Sequence, residues 1–191
     1  LHYRKRECKV CNYFPARLRV VARVQIKIEL VAQDDATKLF EFECQNRVFF
    51  EKWVPTRGEA YYEFDSFCHI LSNLLQDQAE GKDYFHLIRD EHGTILGRIN
   101  IVDIQVIDSV KSGHIGYRIG ESHRGRGIAS DAVRLLVQKA VEEYDITLLY
   151  AKTTMNNLAS QKVLEKNHFL FVTTDHDQNE SEPFRHYVWN A

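Results

Sequence analysis

The residues best suited to chemistry lie between His114 and Ser130, which read HIGYRIGESHRGRGIAS. Alternating apolar residues run into a turn rich in Gly and Arg, and the turn opens an amphipathic helical pattern. Five of the nine glycines of the chain fall between Gly113 and Gly127. A strand that empties into a Gly-rich turn and then a helix start gathers backbone N–H groups on one point, and the helix dipole adds partial positive charge there. Arg124 and Arg126 bracket Gly125 and place cations where a diphosphate or a 3′-phosphate would pass. Gly127 and Ala129 keep the first helical turn free of bulk. The stretch therefore reads as a phosphate cradle. A Walker loop is excluded because Gly-Lys-Ser/Thr is absent. The dinucleotide fingerprint is excluded because a β-meander, not half of a doubly wound parallel sheet, precedes the turn.

A second polar constellation follows about 30 residues later, where Asn156 and Asn157 suit a helix cap and Ser160 falls in the first turn of that helix. The elements that must position both are legible from periodicity. Val24–Val31 alternates as a first strand. Asp34 or Asp35 caps a helix with Ala36, Leu39, Phe40 and Val48 on its apolar face. Thr56 and Glu59 form a capping box for a second helix toward Gln78, with Phe64, Phe67, Leu71, Leu74 and Leu75 inward and Gly81 closing it. Tyr84–Arg89 and Ile95–Ile104 are strands joined by the hairpin signal Asp90–Gly93. A polar link leads to a third strand, His114–Ile119. A helix from Gly127 to Tyr144 buries Ile128, Ala132, Leu135, Leu136 and Val141. Then come a strand Leu148–Thr153, a helix Leu158–Lys166 with Leu158, Val163 and Leu164 inward, and strands Phe169–Thr173 and His186–Trp189. This order, β α α β β β α β α β β, predicts an α/β (α+β) fold with a mixed sheet and the phosphate-facing turn near its middle.

The bulk properties bound the function. A length of 191 residues fits one domain with a short extension: a basic lead-in over 1–23 and a single domain over 24–191. The composition is 44% hydrophobic and 27% charged, that of a folded globular chain, and the net charge of −2 advertises neither nucleic acid nor membrane. No apolar run approaches the roughly 18 residues of a membrane span, and no secretory signal is visible, so a cytoplasmic address is expected. Cys8 and Cys11 form a C-x-x-C pair without a second half, while Cys44 and Cys68 stand apart; reduced thiols and no metal site are the expectation.

Here the motifs resemble a known family. Arg124-x-x-Gly127-x-Ala129 matches the R/Q-x-x-G-x-G/A signature of the GNAT superfamily of acetyl-CoA-dependent N-acetyltransferases. Asn157-Leu-Ala-Ser160-x-x-Val163-Leu-Glu-Lys166-x-x-Phe169 resembles the corresponding stretch of its RimJ/RimL branch, which acetylates ribosomal proteins. Ile28-Glu-Leu30, Asn46-Arg47 and Trp53-Val-Pro55 extend the resemblance toward the N-terminus, so it covers about Gln25 to the C-terminus. It implies a mostly antiparallel GNAT sheet flanked by helices, with acetyl-CoA as co-substrate. By the same resemblance, the backbone from Arg124 through Gly125, Arg126, Gly127 and Ile128 to Ala129 holds the CoA diphosphate. The strand ending at Ile119 pairs with the pantetheine arm, and Asn157 contacts that arm farther down. Ser160 matches the residue proposed to protonate the departing thiolate; the alternative for its hydroxyl is a bond to the preceding helical turn.

Two positions depart from the family pattern. The tyrosine that many GNAT enzymes use as general acid falls at Leu164, and the glycine before the last phenylalanine is His168. The general base is not singled out: Glu121, His114 and Tyr117 compete with the acidic-loop residues Glu180 and Glu182. Direct transfer requires a neutral amine, with a backbone N–H of the central strand stabilising the oxyanion. An α-amine of pKa ~8 is neutral in roughly one molecule in seven at pH 7, against about one in 2,500 for a lysine near ~10.4. A site without a strong base therefore favours α-amines, in agreement with a ribosomal-protein N-terminus as acceptor. The rival readings are a small-amine acetyltransferase (polyamine, amino acid or aminoglycoside), a catalytically silent CoA-binding module, and a ribosome- or RNA-associated protein using the basic lead-in. Trp53, Tyr61 and Tyr62 are candidates to line the acceptor pocket. Oligomeric state is not legible, which leaves a homodimer open.

Overall fold

The protein is described by a computed structural model over residues 24–54, 56–175 and 183–191. The basic lead-in with Cys8 and Cys11, Pro55, and the acidic-loop residues Glu180 and Glu182 lie outside the described residues. In chain order the elements are β1 (Ile26–Leu30), α1 (Ala36–Phe50), α2 (Phe64–Ala79), β2 (Tyr84–Asp90), β3 (Ile95–Ile107), β4 (Val110–Ile119), α3 (Ile128–Glu142), β5 (Leu148–Thr154), α4 (Leu158–Lys166), β6 (Leu170–Asp175) and β7 (Phe184–Asn190). The strands form one sheet in the order β1-β2-β3-β4-β5-β7-β6, antiparallel at every junction except the parallel pair β4–β5. The expected mixed, mostly antiparallel α/β architecture is the one observed.

Strand alternation feeds two cores. On β2, Phe85 and Leu87 pack with Leu39, Phe42 and Phe50 of α1 and Phe67 and Leu71 of α2. Ile88, with Ile99 and Ile101 of β3, packs instead with Ala132, Val133 and Leu136 of α3 and Leu164 of α4. Helices therefore cover both faces, which is why β2 reads as a continuous apolar run rather than as an alternation.

Four expectations are corrected. The buried side of α1 carries Leu39, Phe42, Glu43, Phe49 and Phe50, whereas Val48 is 74% exposed. The i, i+3, i+4 series from Leu39 runs through Glu43, and an acid in that register disguised the true face. The Thr56–Glu59 capping box does not form. Thr56 Oγ1 donates to Glu51 Oε1 at 2.8 Å, and Glu59 accepts from the Arg47 guanidinium instead. Residues 59–62 make a 3₁₀ turn, α2 starts only at Phe64, and Phe64 is exposed although its ring lies 5.2 Å from that of Phe40.

The polar link before the third strand is itself strand. β3 and β4 meet in a two-residue turn at Asp108 and Ser109, both with positive φ (49° and 67°), a hairpin geometry that the pair encodes without the usual glycine. Finally, Val141 on the last turn of α3 and Leu158 at the first position of α4 are exposed rather than inward. His168, standing where the family has glycine, adopts φ +64° just beyond α4, so the departure is confined to the helix end.

Candidate active site

The site is created by an interruption in the sheet. β4 and β5 pair only at Ser112–Leu148, Gly113–Leu149 and His114–Tyr150, although β4 continues to Ile119 and β5 to Thr154. β5 keeps its pairing with β7 along its whole length, from Leu148–Asn190 to Thr154–Phe184, so it departs with β7 and leaves β4 behind. Beyond His114 the facing edges of β4 and β5 are unpaired among the described residues, and an unpaired edge is a template for an extended, peptide-like ligand. The opening is a cleft of about 1000 Å³, at the upper end of small-molecule sites. It is lined by Ile115 to Ile119 of β4, Ala151 to Thr154 of β5, the start of α3, Asn157 and Ser160 of α4, and the end of α1.

The glycine-rich turn forms one wall. Gly120 ends β4 with its N–H on the Leu96 carbonyl at 2.9 Å. The Glu121 N–H donates to Asn46 Oδ1 at 2.9 Å, while Asn46 Nδ2 donates to the Phe42 carbonyl, so α1 holds the turn in place. Gly125 and Gly127 have φ of +71° and +79°, and a Cβ built on either would meet nothing within 4 Å. Space therefore stands open in front of both, at backbone angles that L side chains avoid. Gly127 is the N-cap of α3 and, as a glycine, makes no side-chain cap bond. The first bond there runs from the Asp131 N–H to the Gly127 carbonyl at 3.1 Å, which leaves the N–H groups of the first turn for an anion or water. Gly125, Gly127, Ile128 and Ala129 line the cleft. So does Arg124, whose guanidinium lies 4.9 Å from the Phe49 ring centre. Arg126 is exposed and does not line it.

The opposite wall carries the proton-bearing groups. Asn157 caps α4 by accepting the Ser160 N–H on Oδ1 at 3.1 Å. The Ser160 hydroxyl does not bond its own helix: Oγ lies 2.9 Å from the Tyr117 hydroxyl, which is also 3.3 Å from the Ser160 carbonyl. Burial pushes the Tyr117 phenol up to about 12, so it stays protonated near neutrality and acts as a hydrogen-bond donor rather than a base. Leu164 is buried in the core.

The other candidate bases among the described residues, Glu121 and His114, are not brought here. Glu121 is exposed on a 3₁₀ turn just past β4 and does not line the cleft, because Gly120 has already turned the chain away. His114 stacks on Tyr150 with ring centres 5.1 Å apart and likewise does not line it. Trp53 lines the cleft, joined by Phe49, Phe50 and Val54. Tyr61 is core, with its hydroxyl 3.2 Å from Arg98 Nη1, and Tyr62 lies under Arg47, with 4.2 Å between guanidinium and ring centre.

One cluster escaped the sequence reading altogether. Arg98 on β3 and Arg118 on β4 are direct cross-strand partners, an unfavourable like-charge pair by itself. The fully buried Glu43 of α1 sits between them, its Oε1 accepting from Arg98 Nη1 at 3.0 Å and from Arg118 Nη2 at 2.8 Å. The signal was present in outline: an acid in the apolar register of α1, and an arginine in each of two apolar strands.

Among the described residues no helix is long and apolar enough to cross a membrane, and no three His, Cys, Asp or Glu side chains are grouped to hold a metal. Cys44 is exposed and Cys68 half-buried, both free. Residues 25–170 match the family model described as Acetyltransferase (GNAT) domain. The chain belongs to the GNAT acetyltransferase family. Among its curated relatives is a probable N-acetyltransferase, YjcK, of Bacillus subtilis, 27% identical over 136 residues, covering 71% of this chain and 75% of the relative. Two solved structures share the GNAT fold at 19% identity. The ribosomal-protein-S5-alanine acetyltransferase of Vibrio fischeri superposes with a TM-score of 0.80 over 86% of this chain and 92% of its own. RimJ of Mycobacterium smegmatis, in complex with CoA-disulfide, superposes with 0.78 over 87% and 82%.

Proposed function

We propose that this GNAT protein transfers an acetyl group from acetyl-CoA to a primary amine, and that the amine is the N-terminal α-amine of a ribosomal protein. The observation that carries the reading is the parting of β4 from β5 after three residue pairs, with the uncapped start of α3 at its mouth. That arrangement suits a long ligand with an anionic end and a peptide-like arm. The first-turn N–H groups around Gly127, assisted by Arg124, hold the diphosphate. The free edge of β4 up to Ile119 hydrogen-bonds the arm, and Asn157 keeps the opposite wall in place by fixing the start of α4. Arg126 and Glu121 are left with no direct role in this reading.

At the thioester end, a backbone N–H of β4 stabilises the developing oxyanion. Ser160 gives a proton to the departing thiolate, with Tyr117 donating to Ser160 Oγ so that the serine proton is free to face the cleft. The neutral amine enters from the α1 side, past Trp53 and Phe50. The lining residues described include no carboxylate, which favours an acceptor already partly neutral at pH 7. An acetyltransferase of similar fold from Salmonella typhimurium modifies the N-terminal serine of ribosomal protein L7/L12, which supports this acceptor. Residues 24–191 form the catalytic domain in this proposal, and 1–23 precede it as an extension.

The test is thiol release from acetyl-CoA across N-terminal peptides of ribosomal proteins, the same peptides with blocked α-amines, free lysine and polyamines. Turnover confined to free α-amines, and reduced at least tenfold in kcat by Ser160→Ala, is the expected result. Equal turnover of α-blocked, lysine-containing peptides would overturn the α-amine assignment.

A further inference from the structure

The Glu43–Arg98–Arg118 cluster has a charge imbalance that faces the cleft. Arg118 is the member that lines it, with 13% of its side chain exposed, against 3% for Arg98 and none for Glu43. The charges that reach Arg118 are the single carboxylate of Glu43 and two further cations, Arg98 and Arg57. Arg98 and Arg118 thus share one glutamate, and the exposed Arg57 adds a further cation nearby. Arg57 adds its guanidinium 4.9 Å from the Tyr61 ring centre, and Tyr61 in turn accepts from Arg98. Both arginines of the cross-strand pair are spent on the same oxygen, Glu43 Oε1, and Arg98 Nε is buried without a partner among the described residues. Arg118 gives Glu43 one N–H only, and its guanidinium lies 4.8 Å from the Phe50 ring centre, which keeps its flat face fixed. Burial, and then the neighbouring arginines against the pull of Glu43, draw its pKa down to about 10, so an added anion would be welcomed.

The placement gives this imbalance a use. Tyr117 and Arg118 are consecutive on β4 and so point to opposite faces. Tyr117 reaches Ser160 on the α3/α4 side, while Arg118 stands by Phe50 on the α1 side. Neighbouring residues of one strand thus build the proton-donating wall and the acceptor entrance. We propose that Arg118, held by Glu43 and backed by Arg98, is a carboxylate-binding site for the acceptor, so that the enzyme selects amines carrying a carboxylate close to the reacting nitrogen and rejects polycations. The guanidinium fork matches a carboxylate in one plane, and the ring of Phe50 and the nearby Trp53 and Val54 exclude water from the contact. The carboxylate comes from an acidic side chain near a peptide N-terminus or from the α-carboxylate of a free amino acid. The site rests on the acetyltransferase reading, and the assay separates the two.

Steady-state kinetics of the full chain at saturating acetyl-CoA would compare peptides that differ only in an Asp, Asn or Lys at the second position, together with free aspartate and spermidine. The Asp peptide should exceed the Lys peptide in kcat/KM by on the order of tenfold or more, the range of one charge-assisted hydrogen bond. Arg118→Gln keeps Glu43 paired with Arg98; it should raise KM for the Asp peptide by on the order of tenfold and change the Lys peptide by about twofold or less, with part of the preference restored in Arg118→Lys. Arg57→Gln, an exposed change outside the buried cluster, should weaken the same preference by a smaller factor and serves if Arg118→Gln does not fold. Indifference to the second residue, or equal loss on every acceptor in Arg118→Gln, overturns the carboxylate site while leaving the α-amine reading standing. Turnover of free aspartate with silent peptides overturns the peptide acceptor and supports the carboxylate site. Preference for spermidine overturns both.

Discussion

Gly127 offers the sharpest separation of binding from folding. Its φ of +79° and ψ of −2° are left-handed, and a Cβ there meets nothing within 4 Å. In the absence of ligand, Gly127→Ala therefore introduces backbone strain and no clash, about 1–2 kcal/mol. For a domain of this size that strain lowers Tm by roughly 2–4 °C per kcal/mol. Gly93 provides the matched control, with φ +80° and equally open space, but it lies in the β2–β3 hairpin and not in the cleft. Gly93→Ala should produce a comparable drop in Tm.

The two variants should diverge in ligand binding. The methyl at residue 127 occupies the space through which a diphosphate approaches the first-turn N–H groups of α3. Two charge-assisted hydrogen bonds at about 1.5–3 kcal/mol each are then lost, which is roughly 10²- to 10⁴-fold in acetyl-CoA affinity. Isothermal calorimetry with acetyl-CoA, paired with thermal melts, measures both effects. If Gly127→Ala lowers Tm as Gly93→Ala does and yet binds acetyl-CoA with unchanged affinity, the diphosphate is not held at this turn and the reasoning fails.

Tyr117→Phe removes the partner of Ser160 Oγ and should lower kcat by roughly 2- to 10-fold, the worth of one neutral hydrogen bond, with acetyl-CoA affinity unaltered; an unchanged kcat would show that the pair has no part in catalysis. Glu43→Gln leaves two arginines facing each other across β3 and β4 and should destabilise by about 3–5 kcal/mol in urea unfolding, and a loss below about 1 kcal/mol would contradict the buried pairing. Burial holds the His86 imidazole down to about 4, below the ordinary histidine value near 6.5, while its Nε2 lies 2.8 Å from the Tyr144 hydroxyl. Between those values the unfolded chain binds a proton that the folded chain does not, so stability should fall by on the order of 3 kcal/mol as pH drops from about 6.5 to about 4, and level off below. His86→Gln should flatten that acid limb in pH-dependent melts; an identical limb would place its origin elsewhere.

The sequence by itself determined the order of the elements, the class of the sheet and the location of the anion turn. These follow from short-range physics: alternation for strands, 3.6-residue periodicity for helices, and glycine where φ must be positive. Gly125, Gly127 and the Asn157 cap were legible because each acts on its own backbone neighbourhood. Where a local signal met a competitor distant in the chain, the reading failed. The Thr56–Glu59 capping box does not form, and Glu59 pairs instead with Arg47, 12 residues earlier on α1.

Only the tertiary structure decided what the cleft contains. Where β4 and β5 part, β5 stays with β7, a partner encoded about 35 residues later. The bond between Tyr117 and Ser160 spans 43 residues, and that between Arg118 and Glu43 spans 75. Glu121 has the right chemistry and a promising position in the chain, yet the turn at Gly120 carries it out to solvent. Side-chain type and spacing state which groups are available for chemistry. Which of them meet depends on strand register and on the faces of helices packed from far along the chain, and no local pattern encodes those.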